Sequence, residues 1–213
     1  MKIAISGAQG TGKTTLLEEM QKDSRFKKFL PIKNVTRSIK AAGFNINEEG
    51  NDNTQLLIMS QHIQNFVHAE TSFPMNSILE RCALDGFVYT SYLYKLKKVN
   101  INTLKIAEGI FRGLIEQYDI IFYLPCEFCI KDDGVRSTDT EFQEDVELFF
   151  TSYIRDYRIP VVTLTGSVEK RIKLVNETYD SYIEKLREEM EFFKTLDKNF
   201  KNLSILPKET EYA

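Results

Sequence analysis

The 213-residue chain has no tryptophan, only two histidines and only three cysteines, Cys82, Cys126 and Cys129. An odd number of cysteines without a recognisable export signal predicts reduced thiols rather than a disulfide framework. Cys126 and Cys129 have the C-x-x-C spacing of a redox or zinc half-site. Nevertheless, no second C-x-x-C and no H-x₃₋₅-H supplies two more zinc ligands. We therefore expect two small apolar side chains at a strand end.

The chain also has no excess of positive charge and no long apolar run. Its net charge is −3 and its pI is about 5.6, which argues against a surface that grips nucleic acid all over, although a local basic patch remains open. No apolar stretch is long enough to cross a bilayer, so we expect no membrane partner and a cytoplasmic protein. There is no internal repeat, and the length suits one domain.

Predicted strands and helices alternate along the chain, which indicates an α/β fold with a parallel sheet covered on both faces. We expect a three-layer P-loop NTPase fold with five strands, kinase-like and with a lid. The predicted domain spans residues 1–180, and residues 181–213 form a helical extension packed on it. The predicted strands are residues 2–6, 29–35, 76–82, 119–124 and 160–164. The predicted helices are residues 12–22, 53–70, 86–95, 102–117, 141–157, 168–176 and 179–196.

A phosphate-binding loop follows the first predicted strand and fits G-x-x-x-x-G-K-[ST] in full. Glycines let the backbone curl so that successive N–H groups point at phosphate oxygens, and the helix that follows adds its positive end. Lys13 is expected to reach the β- and γ-phosphates, and the Thr14 hydroxyl to bind Mg²⁺. The loop thus predicts an ATP site. Its residues are Gly7, Ala8, Gln9, Gly10, Thr11, Gly12, Lys13, Thr14 and the adjoining Thr15.

Two further segments follow predicted strands, where an open α/β sheet places its ligands. Arg37, after strand two, is a candidate clamp for an acceptor anion. After strand three, Glu80 resembles a Walker-B carboxylate near Mg²⁺, and Arg81 would face the acceptor. Glu80 and Arg81 could instead form a structural ion pair. Asp85 is either a general base for the acceptor hydroxyl or the N-cap of the next helix.

A polar stretch, residues 131–139, lies between a buried strand and an amphipathic helix, and Gly134 permits it to flex. This is where a lid would close over the phosphates and expel water. Arg136 is the candidate lid arginine, which supplies positive charge to the phosphoryl group in transfer. The alternative is an acidic solvated loop.

These motifs together resemble the P-loop kinase-like family that includes the ribosylnicotinamide kinase domain of NadR and is often labelled an AAA-domain ATPase. The family is related to thymidylate and deoxynucleoside kinases, and the resemblance covers roughly residues 2–180. It implies phosphoryl transfer from ATP to a nucleoside, nucleotide or base-linked hydroxyl, and relatives include kinases of hydroxymethylated bases in phage DNA. The matching segments are GAQGTGKTT, NVTRS, ERCALDGFVY, the strand into LPCEF, DDGVR and GSVEKR.

Two positions depart from the family pattern. Asn34 stands where relatives carry a glutamate after strand two, and Glu80 stands where they carry an aspartate after strand three. The resemblance implies that this strand-two carboxylate activates the acceptor hydroxyl in deoxynucleoside kinases, so a base here would have to be Asp85 or Glu80. Arg171 matches a family arginine near the adenine, although a surface arginine on a helix would look the same.

Two rival functions remain open beside a kinase of small nucleotide-like acceptors. A kinase acting on DNA or RNA would need aromatic side chains and a basic rim, which residues 89–98 offer with three tyrosines and three lysines. A nucleotide-driven switch or assembly ATPase is the other rival, for which the chain is short. The apolar stripe of the last predicted helix is expected to be core or the surface of a homodimer.

Overall fold

The computed structural model describes residues 1–33, 36–72, 75–127 and 140–203. Its five strands form one parallel sheet in the order β2-β3-β1-β4-β5. β3 and β4 are buried along their whole length, as strands covered on both faces should be. The predicted α/β fold is thus confirmed. The strands are β1 Lys2–Ser6, β2 Leu30–Ile32, β3 Ser77–Glu80, β4 Ile120–Tyr123 and β5 Val161–Thr163.

Seven α-helices lie in the described part of the chain, and most follow the predicted positions. Short 3₁₀ turns occur at Asn47–Glu49 and Ile115–Gln117. The helices are α1 Lys13–Met20, α2 Thr36–Ala41, α3 Asp52–Thr71, α4 Ala83–Lys95, α5 Ile101–Leu114, α6 Thr140–Asp156 and α7 Val168–Leu203.

The sheet brings three strand ends together at one edge. β1 lies between β3 and β4, with Ile5 opposite Glu80 and Ser6 opposite Tyr123. Parallel strands that are in register end at the same edge of the sheet. The segments that follow Ser6, Glu80 and Tyr123 therefore share one side of the molecule.

An aromatic core holds α4 in place beside this edge. The Phe87 ring of α4 stacks on Phe111 of α5 at 5.0 Å between centroids and on Tyr153 of α6 at 4.6 Å. Stacked rings at these distances add to the free energy gained by burying them. The residues that α4 presents to the sheet edge, including Asp85 and Tyr89, thus stand on a well-anchored helix.

The structure differs from the sequence prediction at four elements. β2 is shorter than the predicted residues 29–35, α2 was not predicted, and α4 begins three residues earlier than expected. The two predicted helices at residues 168–176 and 179–196 are one helix, α7. No glycine or proline interrupts that helix, and the Thr178 hydroxyl donates to the Leu174 carbonyl at 2.8 Å, so the polar junction continues the helical ladder.

The chain divides into two compact units, Met1–Ile172 and Lys173–Ala213. In the second unit Met190 is 59% exposed and Phe193 65% exposed, so the expectation of core burial fails for these two side chains. The packing of a C-terminal extension and the homodimer stay predictions. Within the described residues, no helix combines the length and the hydropathy that a bilayer span requires.

Candidate functional site

The loop between β1 and α1 has the backbone of a phosphate cradle. Gly7, Gly10 and Gly12 have φ angles of 142°, 77° and 93°, which side chains other than hydrogen rarely permit. A Cβ on Gly7 would overlap the Leu124 carbonyl at the end of β4, so this glycine also lets two strand ends approach closely. The predicted loop therefore has the shape that its motif requires.

Lys13 begins α1 and folds over the loop. Its ammonium group donates to the Gly7 carbonyl at 2.8 Å, to the Ala8 carbonyl, and to the Thr11 hydroxyl at 3.3 Å. Only 5% of the residue is exposed. The positive charge is thus held inside the hollow of the loop, where the N-terminus of α1 also points.

Thr14 and Glu80 form a pair of oxygen donors across the sheet edge. The Thr14 hydroxyl donates to Glu80 Oε1 at 2.5 Å, which joins the start of α1 to the end of β3. A hydroxyl and a carboxylate are the oxygen ligands that Mg²⁺ takes beside nucleotide phosphates. The chemistry of these two side chains fits Mg²⁺, and the magnesium site itself stays a prediction.

Asp85 lies at the third position of α4 and is 1% exposed. One carboxylate oxygen accepts from the Ser6 hydroxyl at 2.7 Å and the Cys82 N–H at 3.0 Å. The other accepts from Arg81 at 3.0 Å and the Gly7 N–H at 3.4 Å. The N-cap of α4 is Cys82, so Asp85 caps the helix from inside its first turn rather than as the predicted N-cap. Its four contacts favour the capping alternative over a general base.

Arg81 connects Asp85 to Tyr89 and has a strained backbone with φ at 79°. Its guanidinium lies 5.0 Å from the centroid of the Tyr89 ring. Burial by itself lowers the pKa of Arg81. Tyr89, Asp85 and Glu80 together have the larger effect and raise that pKa above its usual value, so the guanidinium stays charged. Arg81 forms an ion pair with Asp85. This pair replaces the structural alternative that the sequence offered, in which Arg81 pairs with Glu80.

The middle of the loop is held from two sides through one residue, Gln9. Its N–H donates to the Tyr89 hydroxyl at 3.0 Å, and its carbonyl accepts from the Gln143 side chain at 2.8 Å. Tyr89 belongs to α4 and Gln143 to α6, so both helices fix the loop. Sequence reasoning missed Gln143, which carries no motif.

A cavity of about 360 Å³, including solvent at its mouth, lies beside Arg81. Three buried polar residues line it, Asp85 of α4 and Gln55 and His62 of α3. Sequence reasoning missed Gln55 and His62 as lining residues, although a spacing of seven places them on one helix face. The Thr90 hydroxyl donates to the Gln55 carbonyl at 3.1 Å. Burial lowers the pKa of His62 to about 4, so its imidazole is neutral at pH 7. The lining includes Thr36, Gln55, Ile58, His62, Arg81 and Tyr89.

A second cavity, of about 470 Å³ with its open mouth, is lined by residues of the loop itself. Arg171 of α7 is 4% exposed and donates to the Thr11 carbonyl and to Glu127, both at 2.7 Å. Burial by itself raises the pKa of Glu127. Arg171 and the Gly166 N–H together have the larger effect and lower that pKa below its usual value, so the carboxylate is charged. Arg171 is thus a buried brace of the loop, not a surface arginine. The lining includes Gly10, Thr11, Thr15, Gly166, Val168 and Arg171.

Some predicted site residues lie outside what the structure describes. Arg136, the lid segment around it and Cys129 belong to residues 128–139, and Asn34 is also outside the described ranges. The backbone of Arg37 lies in α2, but its side chain is not among those described. The structure therefore does not test their roles.

The basic aromatic rim predicted for nucleic acid is not assembled. Tyr89 faces the phosphate loop and Tyr92 is buried in the core, which leaves Tyr94 as the exposed ring of the three. Lys95 pairs with Asp145, and Lys98 donates to the Glu48 carbonyl and pairs with Glu49. Two of the three tyrosines therefore serve the fold.

Cys126 follows β4 and is partly buried. Burial raises the pKa of its thiol to about 12, so it is not a thiolate at neutral pH. Over the residues that the structure describes, no group of three or more histidines, cysteines and carboxylates is arranged to hold a metal ion. Because Cys129 lies outside the described residues, the expectation for the C-x-x-C pair stays a prediction.

Comparisons with solved structures show the same fold. The structure of NadR in complex with NR superposes with a TM-score of 0.62 at 19% identity over 78% of this chain. Deoxyadenosine kinase from M. mycoides, with the products dCMP and dCDP bound, gives a TM-score of 0.62 at 18% identity over 85%. The match covers 46% of the NadR chain and 100% of the deoxyadenosine kinase chain.

Sequence comparison points the same way. None of the curated proteins matches the chain. A family model described as an AAA domain matches residues 2–171, which contain the phosphate loop, Glu80, Asp85 and Arg171. The chain therefore belongs to this AAA domain family and has a P-loop kinase-like fold.

Proposed function

We propose that the chain is an ATP-dependent kinase that uses Mg²⁺ and phosphorylates a hydroxyl or phosphate of a nucleoside- or nucleotide-like acceptor. The observation that carries this proposal is a pair of cavities next to one phosphate loop: loop residues line one of them, and Asp85 and Tyr89, which contact the loop, line the other. A kinase needs two such places, because donor and acceptor must meet at the γ-phosphate. A switch ATPase needs only one.

The donor would lie in the loop and in the cavity beside Arg171. Loop N–H groups and Lys13 would hold the phosphates, and Thr14 with Glu80 would hold Mg²⁺, which neutralises charge on the phosphates. Thr15 and Arg171 line the neighbouring cavity, where the adenine of ATP would fit. In this proposal, every predicted ATP-site residue that the structure describes contacts ATP or Mg²⁺.

The acceptor would occupy the cavity beside Arg81. Among the described residues, the buried Arg81 Nε has no hydrogen-bond partner, which leaves one donor for a ligand beside this cavity. A neutral His62 adds one donor and one acceptor. The neutral side chains of Gln55 and His62 suit a nucleobase, in line with the dCMP and dCDP bound by a protein of similar fold.

The reaction would be a direct displacement. The acceptor oxygen attacks the γ-phosphorus, the bond from that phosphorus to the β–γ bridging oxygen breaks, and ADP leaves with the electron pair. Because four donors already occupy Asp85, we infer that Glu80 is the carboxylate that faces the reacting atoms and takes the proton of an acceptor hydroxyl. Arg37 and Arg136 are proposed to add positive charge around the acceptor and the transferred group.

A transfer assay with [γ-³²P]ATP tests this proposal. The acceptors are nucleosides, nucleoside monophosphates, ribosylnicotinamide, and plain and hydroxymethylated DNA, each with and without Mg²⁺. Label on a nucleoside or nucleotide in the wild type, absent in Lys13→Ala, is the expected result. Label on DNA alone would replace the small acceptor with a nucleic acid, and release of phosphate with every acceptor unlabelled would favour the ATPase.

A further inference from the structure

The Gln9 peptide is the point where two helices meet the phosphate loop. Its N–H and its carbonyl are both taken, by Tyr89 of α4 and by Gln143 of α6. The N–H belongs to the Ala8–Gln9 peptide group and the carbonyl to the Gln9–Gly10 peptide group, so both of these peptide groups of the phosphate cradle have little freedom to rotate. The orientation of this part of the loop thus depends on side chains from outside it.

Tyr89 also belongs to the acceptor cavity. Its ring lines that cavity and lies 5.0 Å from the Arg81 guanidinium, measured to the ring centroid. The same hydroxyl accepts from Gln9, so one oxygen joins the lining of the acceptor cavity to the loop. Phe142 and Phe150 of α6 contact the ring edge-on at 6.0 and 6.5 Å and restrict its movement.

We propose that Tyr89 is a positioning residue that couples occupancy of the acceptor cavity to the geometry of the phosphate loop through Gln9. This inference rests on the proposed function, because it needs an acceptor in that cavity. A ligand that engages Arg81 moves the guanidinium that lies against the Tyr89 ring, and the hydroxyl of that ring carries the change to the Gln9 N–H. ATP and acceptor then bind with a mutual coupling that is reciprocal by thermodynamic necessity.

Tyr89→Phe isolates the hydroxyl, since the ring and its packing remain. Tyr157→Phe is the matched control, because it removes a hydroxyl that donates to Glu108 at 2.9 Å between α6 and α5, outside the described site. For Tyr89→Phe we expect kcat to fall about fivefold to tenfold, the size of one net hydrogen bond, with the Kd for ATP in the absence of acceptor changed less than about twofold. The control should keep both constants.

Two binding measurements separate positioning from a loss of structure. In the wild type, a saturating concentration of the nucleoside or nucleotide that is labelled in the transfer assay should lower the Kd of a non-hydrolysable ATP analogue by about fivefold or more. Tyr89→Phe should reduce that factor towards one. Hydrogen exchange of the Gln9 amide should also become about fivefold faster in Tyr89→Phe and not in Tyr157→Phe. The exchange experiment needs no acceptor, so it reports on the contact even if the transfer assay fails.

The outcomes are distinguishable. Unchanged coupling and unchanged kcat in Tyr89→Phe would overturn the inference while leaving the kinase intact. Absence of transfer to every acceptor would overturn both the proposed function and the coupling that rests on it. If Tyr89→Phe and Tyr157→Phe lowered kcat by the same factor and lowered Tm by the same amount, the Tyr89 hydroxyl would only support the fold.

Discussion

Replacing Asp85 with asparagine distinguishes a structural carboxylate from a catalytic one. The change keeps the size of the side chain and removes its charge. Asp85 is 1% exposed, so its contacts are shielded from water. A general base would lose activity with little change in stability, whereas a buried cap would lose stability.

The magnitude follows from the four donors around Asp85. If the amide oxygen of the asparagine faces Arg81 and the Gly7 N–H, those two hydrogen bonds remain. The Ser6 hydroxyl can rotate to accept from the new N–H₂ group. The Cys82 N–H then faces an N–H₂ group, which costs about 1–3 kcal/mol for an unsatisfied buried donor. Arg81 loses its charged partner as well, and breaking a buried ion pair costs about 3–5 kcal/mol when one partner is removed. Because the amide oxygen still accepts from Arg81, we expect a total of about 3–4 kcal/mol.

Urea unfolding of the wild type and Asp85→Asn measures this difference. Asp145→Asn is the control, since it removes the carboxylate of a largely exposed pair with Lys95 and should cost less than about 1 kcal/mol. A loss below about 1 kcal/mol in Asp85→Asn together with a fall in kcat of more than about a hundredfold would refute the structural role.

Three further predictions concern charge at the site and its surroundings. Lys13→Ala should lower kcat at least about a hundredfold while the unfolding transition survives, and unchanged turnover would remove the phosphate site. Arg136→Ala should lower kcat more than it weakens ATP binding; an equal loss in both, seen in steady-state and equilibrium measurements, would show that it does not act on the transition state. The pKa of His62 is lowered from 6.5 to about 4, so the unfolded chain binds its proton first and the folded state loses about 3 kcal/mol as the pH falls through this window. That slope in the free energy of unfolding should shrink in His62→Phe, and an unchanged slope would show that His62 does not titrate in this way.

Local sequence determined the phosphate loop and most of the elements around it. The spacing of Gly7, Gly12, Lys13 and Thr14 encodes a backbone shape and a helix start within eight residues, so no distant contact is needed to recognise it. The alternation of strands and helices likewise predicted a parallel sheet, because each element buries its own apolar face.

Element ends were harder to predict, since local signals there compete with contacts from elsewhere in the chain. The polar residues before Tyr179 looked like a break, but helical hydrogen bonding continues through Thr178. The start of α4 lies at Ala83 because Asp85 reaches back to the Cys82 N–H, a contact that a single sequence leaves ambiguous.

Sequence alone thus determined that this chain curls its first loop into a phosphate cradle. Only the tertiary structure decided what surrounds that cradle. Asp85, Gln9 and Gln143 are far apart along the chain, and their partners follow from strand order and helix packing. Gln55 and His62 became candidate acceptor contacts only because α3 packs against α4 and leaves a cavity between them. Such pairings depend on which elements become neighbours, and short-range sequence patterns do not specify that.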